Sequence, residues 1–449
     1  MQKHYPLEPL FGKILSPFEE FLRRTTAGGV ILMFTTLATL ILTYFVGESR
    51  LHHFWDLPLG LQLGERWSLQ MSLHHWVNDG LMALFFLIVG LELKREMLVG
   101  ELSSLRDAAL PIIAAIGGMI VPAAIFSYFN AGTATAHGWG IPMATDIAFA
   151  ISILVLMGSR VPKNLIIFLT ALAIADDLGA VLVIALFYTA EIKLQAIYVA
   201  LGVLTLLILL NRGGVRNPLP YWLLGILLWY FVLSSGIHAT VAGIALAFCI
   251  PSRPSYTPQD FARHLQDLEE EFNAEASDES KGDAFQNQTL SALAEAIEHS
   301  ATAVQSPLQR TEHNLNPWVT FLVIPIFALS NAGIDFSQLD FVSAIKEKLT
   351  LGILAGLVVG KFCGIALFSY IGVALKLGKL PDGVSWKHLL GAAWLGGIGF
   401  TMSLFVGQLA FQEEALLTQT KLGVLLASFI SALIGLLWLV IASRRDAKL

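Results

Sequence analysis

Residues 163–189 read KNLIIFLTALAIADDLGAVLVIALFYT, an apolar stretch long enough to cross a lipid bilayer as a helix. Two adjacent carboxylates, Asp176 and Asp177, lie near its centre. A charge at that depth costs about 3 kcal/mol or more unless a proton or a cation neutralises it. The pair therefore predicts a site in the middle of the membrane where protons and cations bind and leave.

The composition of the chain also indicates a membrane protein. Of its 449 residues, 55% are hydrophobic and only 14% are charged, whereas soluble domains carry about 25% charged residues. No strongly basic stretch indicates a nucleic-acid partner, and Cys249 and Cys363 lack the pattern of a disulfide framework or a metal site. The expected fold class is an all-α polytopic membrane protein, with the lipid bilayer as its main solvent and no cofactor.

Apolar runs of spanning length predict about twelve transmembrane helices. The region 219–252 is counted as two spans, although Gly236 and His238 are also compatible with one long broken element. The predicted spans lie near 28–47, 74–98, 107–129, 138–158, 163–188, 196–211, 219–235, 237–252, 317–336, 350–376, 388–411 and 419–443.

The basic residues between the predicted spans set the expected orientation. On the side that holds both termini, the short connections and the termini carry seventeen Lys and Arg residues, against six on the opposite side. Because cytoplasmic segments are enriched in Lys and Arg, both termini are expected in the cytoplasm.

The chain divides into five predicted regions. Residues 28–252 and 317–443 form two membrane blocks, preceded by an amphipathic cytoplasmic segment at 1–27 and followed by a tail at 444–449. Between the blocks, 253–316 carries twelve acidic and four basic residues, a net charge of −8. This segment is expected to be a largely disordered cytoplasmic loop, with helical pieces near 258–273 and 290–300.

Residues 55–70 alternate between apolar and polar side chains around Gly64 and Glu65. The alternation predicts a β-hairpin on the outer face. Since an unpaired strand edge is a template for pairing, the hairpin is expected to mediate a homodimer.

Ionisable side chains within membrane spans are functional candidates by default, although some form internal salt bridges or reach back to the surface. Asp176 and Asp177 lie too deep to reach the surface, and adjacent positions differ by about 100° around a helix, so the two side chains face different neighbours. The chain places seven such residues within spans: Asp79, Glu92, Asp146, Asp176, Asp177, His238 and Lys361.

Lys361 lies near the centre of the tenth span, where an ammonium group needs a carboxylate or helix-terminal carbonyl groups as partner. It is either a purely structural counter-charge or a partner that Asp176 releases during transport. Glu92 lies beside Lys94 and Arg95, and is either a gate charge or half of an interfacial ion pair.

Two further ionisable residues lie nearer the outer surface. Asp79 is expected in a solvated position at a helix start, and is kept among the gating candidates. His238 is a candidate for pH response because histidine is the side-chain type suited to that role, although a lone histidine is more often a satisfied polar residue than a switch.

Glycine and proline predict interruptions in the fourth and eleventh spans. Asp146 follows Gly138, Gly140 and Pro142, and the eleventh span carries GGIG at 396–399. Interrupted spans at matching positions in two halves of a transporter point to its binding site. Asp146 would neutralise the helix ends exposed at such a break, or bind the cation directly.

At these residues the chain resembles the NhaA family of bacterial Na⁺/H⁺ antiporters. The most specific matching strings are ATDIAFA at 144–150, AIADDLGA at 173–180, SGIHAT at 235–240 and GGIGFTMS at 396–403. NDGLMA at 78–83 and GLELKRE at 90–96 also fit the family pattern.

The resemblance implies an inner-membrane secondary antiporter that exports Na⁺ and Li⁺ in exchange for external H⁺, and not an enzyme. It further implies inverted repeats and two broken, crossed helices. Asp177 and Asp176 would bind Na⁺ and H⁺, Lys361 would partner Asp176, and Thr145 and Asp146 would lie at the broken helices. The positions matching the family's pH-response residues are Glu92, Glu96, His238, Glu312, His313 and Gly399.

Three other functions compete with antiport. A proton-coupled carrier of an organic solute needs a larger cavity with aromatic or basic residues, whereas the polar set at the predicted midplane is small and dominated by carboxylates. An intramembrane aspartyl protease also uses two buried aspartates, but on two helices rather than contiguous. A passive cation channel is disfavoured because Lys361 would repel cations.

Overall fold

The computed structural model describes residues 26–63, 67–189, 192–277, 287–336 and 340–446. The predicted amphipathic segment therefore lies almost entirely outside the described residues. The chain forms two compact units. The first contains 1–85, 96–190 and 319–449, and the second contains 86–95 and 191–318.

Helices dominate the described residues. The α-helices of the first half, in chain order, are α1 Ala27–Val46, α2 Glu48–Trp55, α3 Leu73–His75, α4 Met82–Val99, α5 Leu105–Asn130, α6 Ile147–Leu156, α7 Lys163–Phe187, α8 Leu194–Arg212, α9 Leu219–Ser234 and α10 Thr240–Cys249. The later α-helices are α11 Pro258–Ala276, α12 Gln288–Ala303, α13 Pro307–Trp318, α14 Ile324–Asn331, α15 Phe341–Lys346, α16 Lys348–Ala355, α17 Lys361–Ala374, α18 Trp386–Leu395, α19 Phe400–Ala410 and α20 Glu414–Asp446.

The length and hydropathy of the helices determine how many of them can be counted as membrane spans. Among the described residues, eight helical segments are long and apolar enough to cross a membrane, and the pair α18 and α19, bent by 43° at its break, makes a ninth. Helices α9 and α10 are apolar but shorter. The predicted span 317–336 holds the end of α13, a π-helical turn, Val319–Val323, and α14. The fold is thus a multi-pass membrane protein, and twelve spans stays a prediction.

The alternating stretch near residue 60 forms a two-stranded antiparallel sheet. Strand β1 is Pro58–Leu63 and strand β2 is Trp67–Ser72, with Leu59 opposite Met71; the tip at 64–66 lies outside the described residues. The indole of Trp76 donates a hydrogen bond of 2.8 Å to the carbonyl of Leu59, which ties the sheet to the helix that follows.

The acidic segment 253–316 is mostly helical where the structure describes it, and α11 and α12 lie at the helical pieces predicted near 258–273 and 290–300. Thr257 and Asn287 cap α11 and α12 by accepting backbone hydrogen bonds. The two helices are amphipathic and pack on each other, with Leu268 and Leu290 buried. Capping and one apolar stripe stabilise these helices although their exposed faces are strongly charged.

In the first unit, glycines bring α5 and α17 close together. A β-carbon at Gly117 would clash with the carbonyl oxygen of Gly364, and one at Gly360 would lie 2.8 Å from the Cα of Pro122. A π-helical turn, Gly356–Gly360, leads directly into Lys361. Such turns often occur at functional positions, and this one precedes the buried lysine.

The second unit has its own apolar core, formed by α8, α9 and α10 with part of α4, and it buries Leu207, Leu228 and Ala247. Lys94 Nζ donates to the carbonyl of Phe248 at 2.8 Å and also to that of Ile250. A lysine ammonium is favourable at this place, because the last carbonyl groups of a helix lack partners within the helix.

Candidate ion-binding site

Asp176 and Asp177 lie in the middle of α7, and both side chains are completely buried. The neighbouring positions on α7 are occupied by small or aliphatic residues, including Ala173, Ile174 and Ala180, which are buried as well. The sequence thus places two carboxylates in an apolar helix whose central turns are enclosed by the rest of the first unit.

Lys361 is the direct partner of Asp176. Its side chain is fully buried, and Nζ forms an ion pair with Asp176 Oδ2. The hydroxyl of Thr145 lies 2.8 Å from the same oxygen and 2.9 Å from the carbonyl oxygen of Gly396, so it donates to one of them at a time. Asp176 therefore has two polar partners on two other elements of the first unit.

Helical structure is interrupted immediately before Asp146. A 3₁₀ helix, Ala134–Met143, contains Pro142, and the chain then runs extended through Ala144 until α6 begins. Asp146 caps α6 by accepting a hydrogen bond of 2.9 Å from the backbone N–H of Phe149. A carboxylate is favoured here because the first N–H groups of a helix lack intrahelical partners and carry partial positive charge.

A second interruption at 396–399 separates α18 from α19 and contacts the first one directly. The backbone N–H of Asp146 donates to the carbonyl of Ile398 at 2.6 Å. Asp146 Oδ2 accepts hydrogen bonds from the hydroxyl of Thr401 at 2.6 Å and from its backbone N–H at 3.2 Å. The carboxylate of Asp146 thus accepts hydrogen bonds from backbone N–H groups at the N-terminal ends of two helices, α6 and α19.

The site combines a buried carboxylate pair, one ammonium group and backbone groups of two interrupted helical segments. Oxygen ligands of this kind suit hard cations such as Na⁺ or protons. Asp176 Oδ1 is also buried and accepts no hydrogen bond from the described residues. The carboxylates thus provide acceptors for a cation. The ammonium group of Lys361 is a positive charge that competes with that cation for Asp176.

Comparison with known proteins identifies the family. The family model described as "Na+/H+ antiporter 1" matches residues 19–439. The Na(+)/H(+) antiporter NhaA of Syntrophobacter fumaroxidans is 57% identical over 445 residues, which cover 99% of this chain and 94% of the relative. The chain belongs to the Na⁺/H⁺ antiporter family.

More distant relatives align over nearly the same length as the first. The Na(+)/H(+) antiporter NhaA of Acidithiobacillus ferrooxidans is 56% identical over 96% of this chain and 99% of the relative. The one from Helicobacter pylori strain G27 is 44% identical over 96% of each chain. Members of the antiporter family are transporters and not enzymes, which favours transport over the aspartyl protease alternative.

The second unit of this antiporter-family chain brings together two of the residues assigned to pH response. Arg95 lies 3.2 Å from Glu312 Oε1 and 4.0 Å from Glu92 Oε1. His313 is exposed. His238 lies in the turn between α9 and α10, two residues after Gly236, which has a φ of +87°.

Three further predicted residues belong to the first unit. The carboxylate of Glu96 accepts a hydrogen bond of 3.1 Å from the backbone N–H of Glu101. Asp79 lies half-buried in a π-helical turn, Trp76–Leu81, rather than at the solvated start of a regular helix. Gly399 precedes α19, and a β-carbon there would clash with the hydroxyl of Ser403.

Thr401 supplies two of the hydrogen bonds to Asp146 but is not among the site residues predicted from the sequence. The signal was present, because Thr401 lies just after the glycines of the interruption in the eleventh span. A threonine at the first turn of a helix is nonetheless common, so position alone does not reveal its partner.

Proposed function

We propose that this protein exports Na⁺, and also Li⁺, in exchange for external protons at the pair Asp176 and Asp177. The observation that carries the proposal is the ion pair between Lys361 and Asp176, fully buried beside a second carboxylate. The family assignment and the names of the relatives support Na⁺/H⁺ exchange as the activity.

The exchange follows from competition at these two carboxylates. When the site faces the cytoplasm, the carboxylates lose protons and bind Na⁺; when it faces outward, they release Na⁺ and are protonated again. Lys361 favours the charged form of Asp176, while burial favours the protonated form. The balance between these opposing effects sets the pH range in which Na⁺ and protons compete.

Two interrupted helical segments in contact provide a way to move the site between the two faces. Asp146 and Thr145 link these segments to each other and to Asp176. A small shift of either segment would alter the hydrogen bonds around the carboxylates, and rearrangements of such elements accompany alternating access in secondary transporters. Direct cation binding by Asp146 is less favoured, because both of its oxygens already accept hydrogen bonds.

Two titrating carboxylates for each monovalent cation make the proposed exchange electrogenic. In that case the membrane potential drives transport as well as the proton gradient. Glu92, Glu312 and their shared partner Arg95 are proposed to take part in pH regulation, together with the other assigned positions. The proposed location is the bacterial inner membrane with both termini in the cytoplasm, as the distribution of basic residues favours.

The hairpin of β1 and β2 is proposed to mediate a homodimer. Among the described residues each strand pairs with one neighbour, and its other edge is a template on which a second copy could pair. Deleting 57–69 is expected to give monomers in mild detergent, measured as molar mass by light scattering, with Na⁺/H⁺ exchange retained. Dimers that persist after the deletion would place the interface on other surfaces.

Ion-driven proton flux in proteoliposomes tests the proposed function. Addition of Na⁺ or Li⁺ is expected to dissipate an imposed pH gradient in vesicles containing the wild-type protein, whereas K⁺ is not. Asp177→Asn retains the shape of the side chain but loses its charge and its proton, and should abolish the response. A wild-type response of equal size to K⁺, or a full response in the variant, would contradict the proposal.

A further inference from the structure

A separate cluster of ionisable groups lies in the first unit where α2 meets the start of α20. Glu48 and His52 lie one turn apart on α2, and His52 Nε2 is 3.6 Å from Glu48 Oε1. Glu414, the first residue of α20, places Oε1 3.8 Å from the same nitrogen. The three ligand atoms all lie within 4.8 Å of one another.

The geometry points to a binding site for a transition-metal dication of the zinc type, held by Glu48, His52 and Glu414. One imidazole and two carboxylates are ligands that Zn²⁺ accepts, whereas Mg²⁺ and Ca²⁺ prefer oxygen ligands only. Tetrahedral Zn²⁺ with bonds of about 2.0–2.2 Å needs ligand atoms separated by about 3.3–3.6 Å. Small side-chain rotations bring the observed atoms to that separation.

The surroundings of Glu48 support this assignment. Its Oε1 is shielded from solvent, yet its nearest cationic groups, His52 and Lys421, lie at 3.6 and 3.7 Å, beyond ordinary hydrogen-bond length. A cavity of about 50 Å³ adjoins it, lined in part by Thr43 and His74. This space accommodates a water molecule as the fourth ligand.

Lys421 sets a limit on the affinity. Its buried Nζ also donates to the carbonyl of Gly333 at 3.0 Å, which holds its positive charge near the proposed site. The two glutamates carry two negative charges, so the cluster retains a net charge of −1 with His52 neutral. The site therefore attracts a dication, but less strongly than it would without the lysine.

Calorimetric titration of the purified, metal-free and tag-free protein with Zn²⁺ tests the inference. We expect the wild type to bind Zn²⁺ at this site, and His52→Ala or Glu414→Gln to weaken binding by more than about tenfold. Two neighbouring exposed residues provide matched controls, since His53→Ala and Glu413→Gln leave the three ligands in place. All four changes lie at partly or fully exposed side chains, so folding is expected to persist.

Thermal unfolding provides a second readout that does not depend on transport. Because the ion would join α2 to α20, Zn²⁺ should raise the Tm of the wild type and of both controls, but not of His52→Ala. The inference is overturned if the wild type binds no Zn²⁺, or if His52→Ala and Glu414→Gln bind it as the wild type does.

Discussion

At the scale of single residues, the most demanding feature is the ion pair between Asp176 and Lys361, since both side chains are fully buried. Desolvating two charges costs several kcal/mol for each, and their attraction compensates only when each group also has good hydrogen bonds. Thr145 supplies one such bond to Asp176. A pair of this kind adds little net stability, so its presence favours a role in ion exchange over a role in folding.

Removing Lys361 leaves the carboxylate of Asp176 buried without its charged partner. Lys361→Ala is expected to lower the free energy of unfolding by about 3 kcal/mol or more, measured as a fall in Tm of the purified protein. Lys361→Arg keeps the charge but adds volume, and should fall between the wild type and Lys361→Ala.

A matched set of variants separates the effect of losing the ion pair from the effect of losing side-chain packing. Adding Asp176→Asn to Lys361→Ala removes the unpaired charge and should restore part of the lost stability, while Lys346→Ala, at an exposed position, should change nothing. Equal stability of Lys361→Ala and the wild type would mean that the ion pair does not contribute to the stability of the folded protein.

At the scale of secondary structure, Asp146 makes several of the hydrogen bonds that hold the two interruptions together. Asp146 caps α6, accepts two hydrogen bonds from Thr401 and donates its backbone N–H to Ile398. The hydroxyl of Ser403 adds another link by donating to the carbonyl of Ile141 at 2.8 Å. These bonds satisfy backbone groups that would otherwise be unpaired in an apolar environment.

Substitutions at Asp146 separate its charge from its capping role. Asp146→Asn keeps an acceptor for Phe149 and should cost about 1 kcal/mol, whereas Asp146→Ala loses every acceptor and should cost about 2 kcal/mol. If the charge matters for transport, both variants lose exchange activity in proteoliposomes. Ser385→Ala, which removes the cap of α18, is the control that loses stability but keeps exchange. Full exchange by Asp146→Asn would exclude an electrostatic role.

Much of the site could be predicted because membrane burial makes charged residues conspicuous. Asp176, Lys361 and Asp146 each stand out in apolar segments, and family motifs supplied Thr145. Partner residues of the site that are neutral, or that lie near the ends of spans, do not stand out from the sequence in this way and could not be predicted. Thr401 and Ser403 are common residues in membrane helices, and the contacts of Lys421 depend on how α2 and α20 pack.

The same distinction holds for the secondary structure. Hydropathy revealed the long spans, but the π-helical turns at Trp76–Leu81 and Gly356–Gly360 have no periodic signal of their own. The helical pieces predicted near 258–273 and 290–300 lie within α11 and α12, whereas α13 was not predicted because it is polar and belongs to a segment of high net charge.

At the scale of the whole molecule, the two ends of the helical pair α11 and α12 lie close together. The backbone N–H of Ser255 donates to the carbonyl of Ala303 at 3.0 Å, so the chain entering α11 and the chain leaving α12 lie side by side. Residues 258–302 carry eleven acidic and two basic residues, a charge of −9 (2 minus 11). Such a charge attracts cations weakly and only at low ionic strength.

Deleting 258–302 is expected to leave the maximal rate of exchange unchanged, because the retained ends already meet and α13 keeps its place beside Pro251. The Na⁺ concentration for half-maximal exchange should rise by less than about tenfold at low ionic strength and match the wild type at high salt. Loss of exchange in a variant that reaches the membrane at normal levels would give the segment an essential role.

The central claim is that Na⁺ and protons compete for Asp176 and Asp177, and proton release on Na⁺ binding tests it most directly. Titrating the purified protein with Na⁺ in buffers of different ionisation enthalpy yields the number of protons released. We expect the wild type to release protons and to bind Na⁺ more weakly as the pH falls, Asp177→Asn to bind no Na⁺, and the exposed control Glu347→Gln to match the wild type. Na⁺ binding by Asp177→Asn with wild-type affinity, or binding by the wild type without proton release, would contradict the account.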